Sequence, residues 1–362
     1  MRVCILLAKY QESTTELDAL QGSIPRPEYL VLKEALGADL FDYSDVDAST
    51  HSLVVNARKR GQRFGLAMLG MLHRKRYDHF YCTGEDIALP FAMMMTTACD
   101  FGRITAVIHN AGTPRRRVMM RAVPSIAWRN IICIGDEQFK VVVEGNHVPA
   151  ELVHRLPFWV DTRFYDSSRA EPITSEPFVF ACGRESRDYP TLQRAAEGSQ
   201  LPFRVVASGW APHAGFAVAD SITAASNLTV VAGKLSYVDL RAHYAAARVV
   251  AVPVERATYG AGVTSIVEAM CMQKPVVVTA SEGIIDYVEH GVNGLIVPVG
   301  DAAAMRHALE ELFADPDRAA ELGANGRREM VQHERVEMHA ARVAGLFGMT
   351  PLIGPLQTEP TT

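Results

Sequence analysis

Short apolar runs alternate with helix-spaced patterns along almost the whole chain, and this alternation constrains the fold more than any other feature. In the first half the runs are Val3–Ala8, His79–Cys82, Thr105–His109, Ile131–Ile134 and Val153–Leu156. In the second half they are Phe178–Cys182, Arg204–Ala207, Leu228–Val231, Val249–Val252, Val276–Thr279 and Gly294–Val297. Consecutive apolar residues, rather than every second one, predict strands covered on both faces, as in parallel sheets. Helical spacing fills the intervals at Pro27–Leu36, Leu53–Lys75, Leu89–Ala98, Glu137–Glu144, Tyr189–Glu197, Tyr237–Ala246 and Val263–Met272. Asp301 to Phe347 reads as all helical. The pattern predicts an α/β protein built from stacked strand–helix units.

A chain of 362 residues can enclose two separate cores. Between the halves runs "RLPFWVDTRFYDSSRAEPITSEP", which starts as a strand and turns polar and proline-bearing, as a linker does. The expected division is an N-terminal Rossmann-like domain over residues 1–165 and a C-terminal one over 166–347. The last helix would pack back on the first domain, and 348–362 would form a disordered tail. Two doubly wound domains facing a central cleft follow, with ligands beyond the carboxyl ends of the strands.

No apolar run approaches the ~20 residues of a membrane helix, and "MRVCILLAKY" reads as a first buried strand rather than a signal peptide. Six scattered cysteines without a CxxC pair suit a reduced, cytoplasmic setting. The net charge of −5 hides an asymmetry. From His51 to Asn130 there are 13 lysines and arginines against four acids, a balance of +9 that leaves −14 for the remainder. Such a patch is either a set of solvated helix faces or a surface for anionic partners, which places peripheral contact with the anionic inner face of a membrane among the expectations. Aromatic residues do not interleave with the basic clusters, so nucleic acid is not an expected partner. The acidic triplets "DVD" and "DPD" follow no cleft-facing strand, and no metal site is expected.

Residues just after the strands carry the chemistry. "GRESRDYPTL" follows Phe178–Cys182: Gly183 permits a tight turn, and Arg184 and Arg187 either grip phosphate oxygens or answer Glu185 and Asp188 at the surface. "PVERATYGAGVTSIVEAM" follows Val249–Val252: Gly260 and Gly262 clear the way to a helix N-terminus, a ready anion site, where Thr264 and Ser265 can cap or donate hydroxyls. Val263, Ile266, Val267, Met270 and Cys271 form a buried stripe, and Glu268 falls off it on the Thr264 and Ser265 face. There it either accepts hydrogen bonds from vicinal hydroxyls such as a ribose or compensates a dipole or salt bridge. His109, before "NAGTPRRR", is structural or catalytic; Glu85 and Asp86, in "TGEDIALP", orient an acceptor hydroxyl or cap the following helix.

From about Phe178 to Leu312 the chain resembles the retaining nucleotide-sugar glycosyltransferases of the GT-B fold, family 4 type. The resemblance is strongest in "GRESRDYPTL", "VVAGKLSYVDLRAHYAAARVVAVP" and "IVEAMCMQKPVVVTASEGIIDYVEHGVNGLIVPVGD". It implies sugar transfer from a nucleoside diphosphate sugar to an acceptor hydroxyl with retention of anomeric configuration, and no cofactor. Glu268 would accept the donor's ribose hydroxyls, while Arg184, Arg187, Gly183 and the Gly262–Val263–Thr264–Ser265 helix end would hold the diphosphate. His109 would lie over the transferred sugar. The first half is weaker: "AVIHN" looks like the family's strand-end histidine, but "KYQESTTELD" stands where the family has a glycine-rich turn. The acceptor is unnamed: a glycan, a lipid-linked sugar or a small molecule. Eight residues before Glu268, where the family often carries a second glutamate, stands Gly260, with Glu255 nearby. That departure supports an alternative, a non-catalytic GT-B module acting as a binding or chaperone partner.

Overall fold

In the computed structural model, which describes residues 1–207, 225–231, 233 and 235–353, the chain forms two compact α/β units. The first comprises Met1–Leu20, Arg26–Pro157 and the chain from Val336 onward; the second comprises Gln21–Pro25 and Phe158–Arg335. The division falls at Pro157/Phe158 rather than at residue 165. Val160, Phe164 and Tyr165, in the stretch read as a linker, are buried, and Val160 pairs with Arg335, so this segment belongs to the second unit.

Twelve strands form among the described residues. Unit one holds β1 (Val3–Leu6), β2 (Asp39–Phe41), β3 (His79–Cys82), β4 (Ile104–Ile108), β5 (Trp128–Cys133) and β6 (Val153–Arg155). Unit two holds β7 (Phe178–Cys182), β8 (Phe203–Val206), β9 (Leu228–Val230), β10 (Ala247–Val252), β11 (Val276–Thr279) and β12 (Gly294–Val297). Every pairing between them is parallel. The orders are β2-β1-β3-β4-β5-β6 and β12-β11-β10-β7-β8-β9. β1, β4, β7 and β11 are buried at every position, which is why they read as continuous apolar runs.

Each unit has its own core. Phe80 meets Phe91 edge-on at 4.8 Å in the first, beside Leu66 and Ile131; Leu192, Val205, Val249 and Leu309 anchor the second. Each such side chain contributes about 1.5–3 kcal/mol by burial. The helix Val336–Leu346 packs on Glu28–Leu36 in unit one, burying Val336, Ala340 and Val343, and Arg26 pairs with Glu337 at 2.7 Å. The tail read as disordered is described as far as Ile353, with the Leu352 N–H donating to the Ala35 carbonyl at 2.8 Å. Residues 354–362 lie outside the described residues.

Three differences from the sequence reading have local causes. The helix expected over Leu53–Lys75 is two helices, Ser52–Arg58 and Gln62–His73, because Gly61 takes a φ of 127° between them. β2 is a three-residue edge strand with no fully buried position, too short and polar to stand out. The helix Pro114–Ala122 follows Thr113, whose hydroxyl accepts the Arg116 N–H, and buries only Met120; it has no apolar period to detect.

Topology decides which loops meet. In unit one the chain leaves β1 for β2 on one side and returns as β3 on the other; in unit two it leaves β7 for β8 and β9, then returns as β10. Those reversals are the switch points of a doubly wound sheet, where loops diverge and leave room for a ligand. The second one brings "GRESRD" and "PVERATYGAG" side by side.

Candidate functional site

At the unit two switch point the loops after β7 and β10 are bound into one floor. Arg187 bridges Val254, the Asp188 N–H donates to the Pro253 carbonyl at 3.0 Å, and the Glu255 N–H donates to the Ser186 carbonyl at 3.0 Å. The Ser186 and Tyr259 hydroxyls meet at 2.6 Å. Gly183 has a φ of 107°, and a Cβ there would sit 2.3 Å from the Arg187 guanidinium. The torsion calls for glycine, and a side chain there would displace the Arg187 guanidinium from its place.

Arg187 is folded back onto this floor rather than projecting freely. It donates through Nε to the Cys182 carbonyl at 3.0 Å, through one terminal nitrogen to the Glu185 carbonyl at 3.0 Å, and through the other to the Ser265 hydroxyl at 2.9 Å. Three of its five N–H donors are thus engaged, leaving two for an anion among the described residues. Arg184 lies partly buried in the same loop and joins none of these bonds.

The helix Val263–Cys271 begins at Gly262, whose φ is 100° and which offers no side-chain cap. The Val263 N–H donates to the Gly260 carbonyl at 3.2 Å, which leaves those of Thr264 and Ser265 without a partner among the described residues and open to an outside acceptor. Neither Thr264 nor Ser265 caps the helix. Thr264 is exposed, Val263 is buried, and Ser265 is buried with its hydroxyl on Arg187 and the Cys182 carbonyl.

Glu268 departs from expectation. Thr264 on the same face is exposed, yet Glu268, one turn on, is covered and only 8% exposed. The helix is enclosed on nearly every side, packing on the helix Pro316–His333 and receiving Tyr165 from the former linker. One carboxylate oxygen accepts the Tyr165 hydroxyl at 2.6 Å and the other the Tyr244 hydroxyl at 2.9 Å. No cation stands within hydrogen-bond reach among the described residues. Burial drives its pKa from 4.5 up to about 7, opposed by the two tyrosine bonds and by the field of Arg187. Arg327 braces the arrangement from behind, donating to the carbonyls of Tyr165 at 2.8 Å and Cys271 at 3.0 Å.

In unit one the loops after β3 and β4 adjoin. Glu85, the first residue of the helix Glu85–Thr97, is 5% exposed. Its oxygens accept the backbone N–H groups of His109 at 2.9 Å and Asn110 at 3.2 Å, and Arg116 stands 3.2 Å away. It does not cap its helix; its carboxylate anchors the loop that carries His109. His109 follows β4, and its Nε2 lies 3.2 Å from the Thr83 carbonyl. A carbonyl only accepts, so Nε2 carries the hydrogen and a neutral ring keeps its lone pair on Nδ1.

The structure thus gathers Gly183, Arg187, Gly262, Ser265 and Glu268 at one strand-end site of unit two, and Glu85 with His109 at one of unit one. Tyr165 lies in the stretch read as a linker and Tyr244 in "VVAGKLSYVDLRAHYAAARVVAVP", but neither was singled out as a partner of Glu268. The acidic triplets serve local structure: Asp45 belongs to a capping box with Asp42, Asp47 accepts from Tyr10, Gln62 and Arg58, and Asp315 caps Pro316–His333. A cavity of about 600 Å³ lies elsewhere, on the β2 side of unit one between Lys33, Asp39, Asp42 and Arg76. Asp42 is already spent as a helix cap, so this cavity gathers no comparable set. Among the basic residues, Arg103 and Arg116 are held by acids, whereas Lys75, Arg76, Arg115, Arg117 and Arg121 are exposed. No helix among the described residues is long and apolar enough to cross a membrane.

Residues 221–329, which include Gly262 and Glu268 but not Arg187, match the family model described as glycosyl transferases group 1. Sucrose-phosphate synthase from Thermosynechococcus elongatus aligns with a TM-score of 0.72 at 17% identity, over 96% of this chain and 98% of that one. HepE from Anabaena, solved in complex with UDP and glucose, aligns with a TM-score of 0.68 at 16% identity, over 96% and 99%. The fold is GT-B. Among curated proteins, the GDP-mannose-dependent alpha-(1-6)-phosphatidylinositol monomannoside mannosyltransferase of Mycobacterium tuberculosis is 29% identical over 159 residues, 43% of this GT-B chain and 40% of that protein. The Mycolicibacterium smegmatis protein of the same name is 34% identical over 113 residues, 30% of each. The chain therefore spans less than half the length of these relatives.

Proposed function

We propose that this chain is a glycosyltransferase of family 4 type that moves a sugar from a nucleoside diphosphate sugar to an acceptor hydroxyl with retention. The observation that carries the reading is the unit two switch point. An uncapped helix N-terminus, an arginine with donors to spare and a buried carboxylate held by neutral hydroxyls stand together, an arrangement that suits a ribosyl diphosphate. The diphosphate would lie on the helix end and Arg187, and the ribose hydroxyls would donate to Glu268. The bond from the anomeric carbon to the β-phosphate oxygen breaks, and stabilising the departing oxygen electrostatically supplies most of the effect. The acceptor oxygen attacks from the same face, and its proton passes to that phosphate oxygen. No metal is required in this scheme, since a cationic side chain and a helix dipole hold the charge.

The test is calorimetric binding of UDP, GDP, ADP and TDP to the wild type and to Glu268→Ala. The variant should lose about 1.5–3 kcal/mol toward whichever nucleotide binds best, the range for a charged hydrogen bond. Unchanged affinity in a folded variant would sink the assignment. Gly260 at the place of the second family glutamate favours a second reading, a GT-B module that binds without turnover. Release of nucleoside diphosphate from the donor separates the two.

A further inference from the structure

The described residues around Glu268 form a clamp that the transfer scheme does not use. Tyr165 arrives from the turn Asp161–Tyr165, where its N–H donates to the Asp161 carbonyl at 3.0 Å; Tyr244 arrives from the helix Tyr237–Ala246. Their rings pack edge to face at 6.3 Å and 86°, and Phe180 holds Tyr244 from the other side at 5.1 Å and 84°. Two buried rings with few torsions thus deliver one hydroxyl to each carboxylate oxygen. We propose that Tyr165 and Tyr244 are positioning residues for the donor, fixing the Glu268 carboxylate so that its remaining lone pairs meet the two hydroxyls of a ribose, and that this clamp makes donor affinity depend on pH. The inference rests on the ribose role assigned to Glu268 above.

A carboxylate offers about four acceptor sites, and the tyrosines occupy one on each oxygen. One site on each oxygen remains, the pairing a vicinal diol needs. A cation in place of the tyrosines would satisfy the charge outright, whereas hydroxyls orient it and leave it to be completed by further donors. Ionised Glu268 has one acceptor site to spare on each oxygen, whereas protonation turns one of the two into a donor, so proton loss and diol binding are coupled. Among its charged and titratable neighbours, burial keeps the Cys182 and Cys271 thiols and the Tyr165, Tyr237 and Tyr244 phenols protonated. The cations among those neighbours are Arg187, whose field reaches Glu268, and Arg327, which donates to the Cys271 carbonyl. Glu268 itself is left to change charge near neutrality. Each tyrosine hydroxyl stabilises the ionised form, so losing one moves the titration upward.

The experiment measures Kd for UDP-glucose and GDP-mannose, whose phosphates do not titrate in the range, between pH 5.5 and 8.5. Wild type, Tyr165→Phe, Tyr244→Phe and Glu268→Gln are compared. Wild-type affinity should rise with pH and level off above neutrality. Each Tyr→Phe variant should move that rise up by about one pH unit, which is about tenfold weaker binding below neutrality and near-wild-type binding at pH 8.5. Glu268→Gln should bind weakly at every pH. Tyr→Phe variants that weaken equally at all pH, or not at all, while Glu268→Gln stays weak would overturn the clamp and leave the ribose role standing. Wild-type affinity in Glu268→Gln would overturn the ribose role itself.

Discussion

Glu85 and Glu268 both lie buried in helices that follow a parallel strand at a switch point, yet they keep opposite company. Glu85 holds two backbone N–H groups and a guanidinium, so every partner belongs to the protein and the pair braces a loop. Glu268 holds two phenol hydroxyls and, among the described residues, no cation, and burial drives its pKa up to about 7. A carboxylate that the fold has neutralised is finished as structure. One that the fold has oriented and left short of positive charge can still recognise a ligand.

Removing the braced carboxylate should have the largest effect. Glu85→Ala leaves Arg116 without its buried partner and orphans the N–H groups of His109 and Asn110. The expected loss is roughly 3–5 kcal/mol, read from urea denaturation. A change below about 1 kcal/mol would erase the contrast.

Glu268→Gln should behave in the opposite sense. A pKa raised from 4.5 to about 7 means that the folded form holds the proton more tightly than the unfolded one. Its contribution is therefore complete below pH 4.5 and fades as pH climbs to 7, a difference of roughly 3 kcal/mol. The amide cannot ionise, so the variant should gain that much on the wild type between pH 4.5 and 8. Parallel stability profiles for the two proteins would contradict it.

The helix-start glycines give the smallest and sharpest contrast. At Gly262 the φ is 100°, and an added Cβ would lie 2.9 Å from Val254 and 3.1 Å from Val252. At Gly84 the backbone is extended, and the nearest atom would be His109 Cδ2 at 3.7 Å. Gly262→Ala should cost roughly 1–3 kcal/mol and Gly84→Ala no more than about 0.5. Equal costs, measured by thermal unfolding, would show that the unit two floor is not strained as described.

Much of the fold was legible because consecutive burial leaves a continuous apolar run. β3, β7, β11 and β12 match their sequence readings end to end. What escaped had no such mark: the three-residue β2, and the helix Pro114–Ala122, whose arginines mask its single buried methionine. At the site, Gly183, Arg187, Gly262 and Ser265 could be named in advance because turns and helix starts have local chemistry. Their division of labour could not. Ser265 was expected to cap its own helix or to offer its hydroxyl as a donor, and its hydroxyl instead accepts from Arg187, 78 residues away.

By itself, then, the sequence determined two parallel α/β units and the strand ends where a ligand would be met, since both follow from periodicity and local backbone chemistry. Tertiary structure alone decided the state of Glu268. Helical spacing placed it on an open face; packing then brought Tyr244 from 24 residues away and Tyr165 from 103. A carboxylate's charge is set by burial and by whatever donors come within 3 Å, and neither is written in the residues beside it.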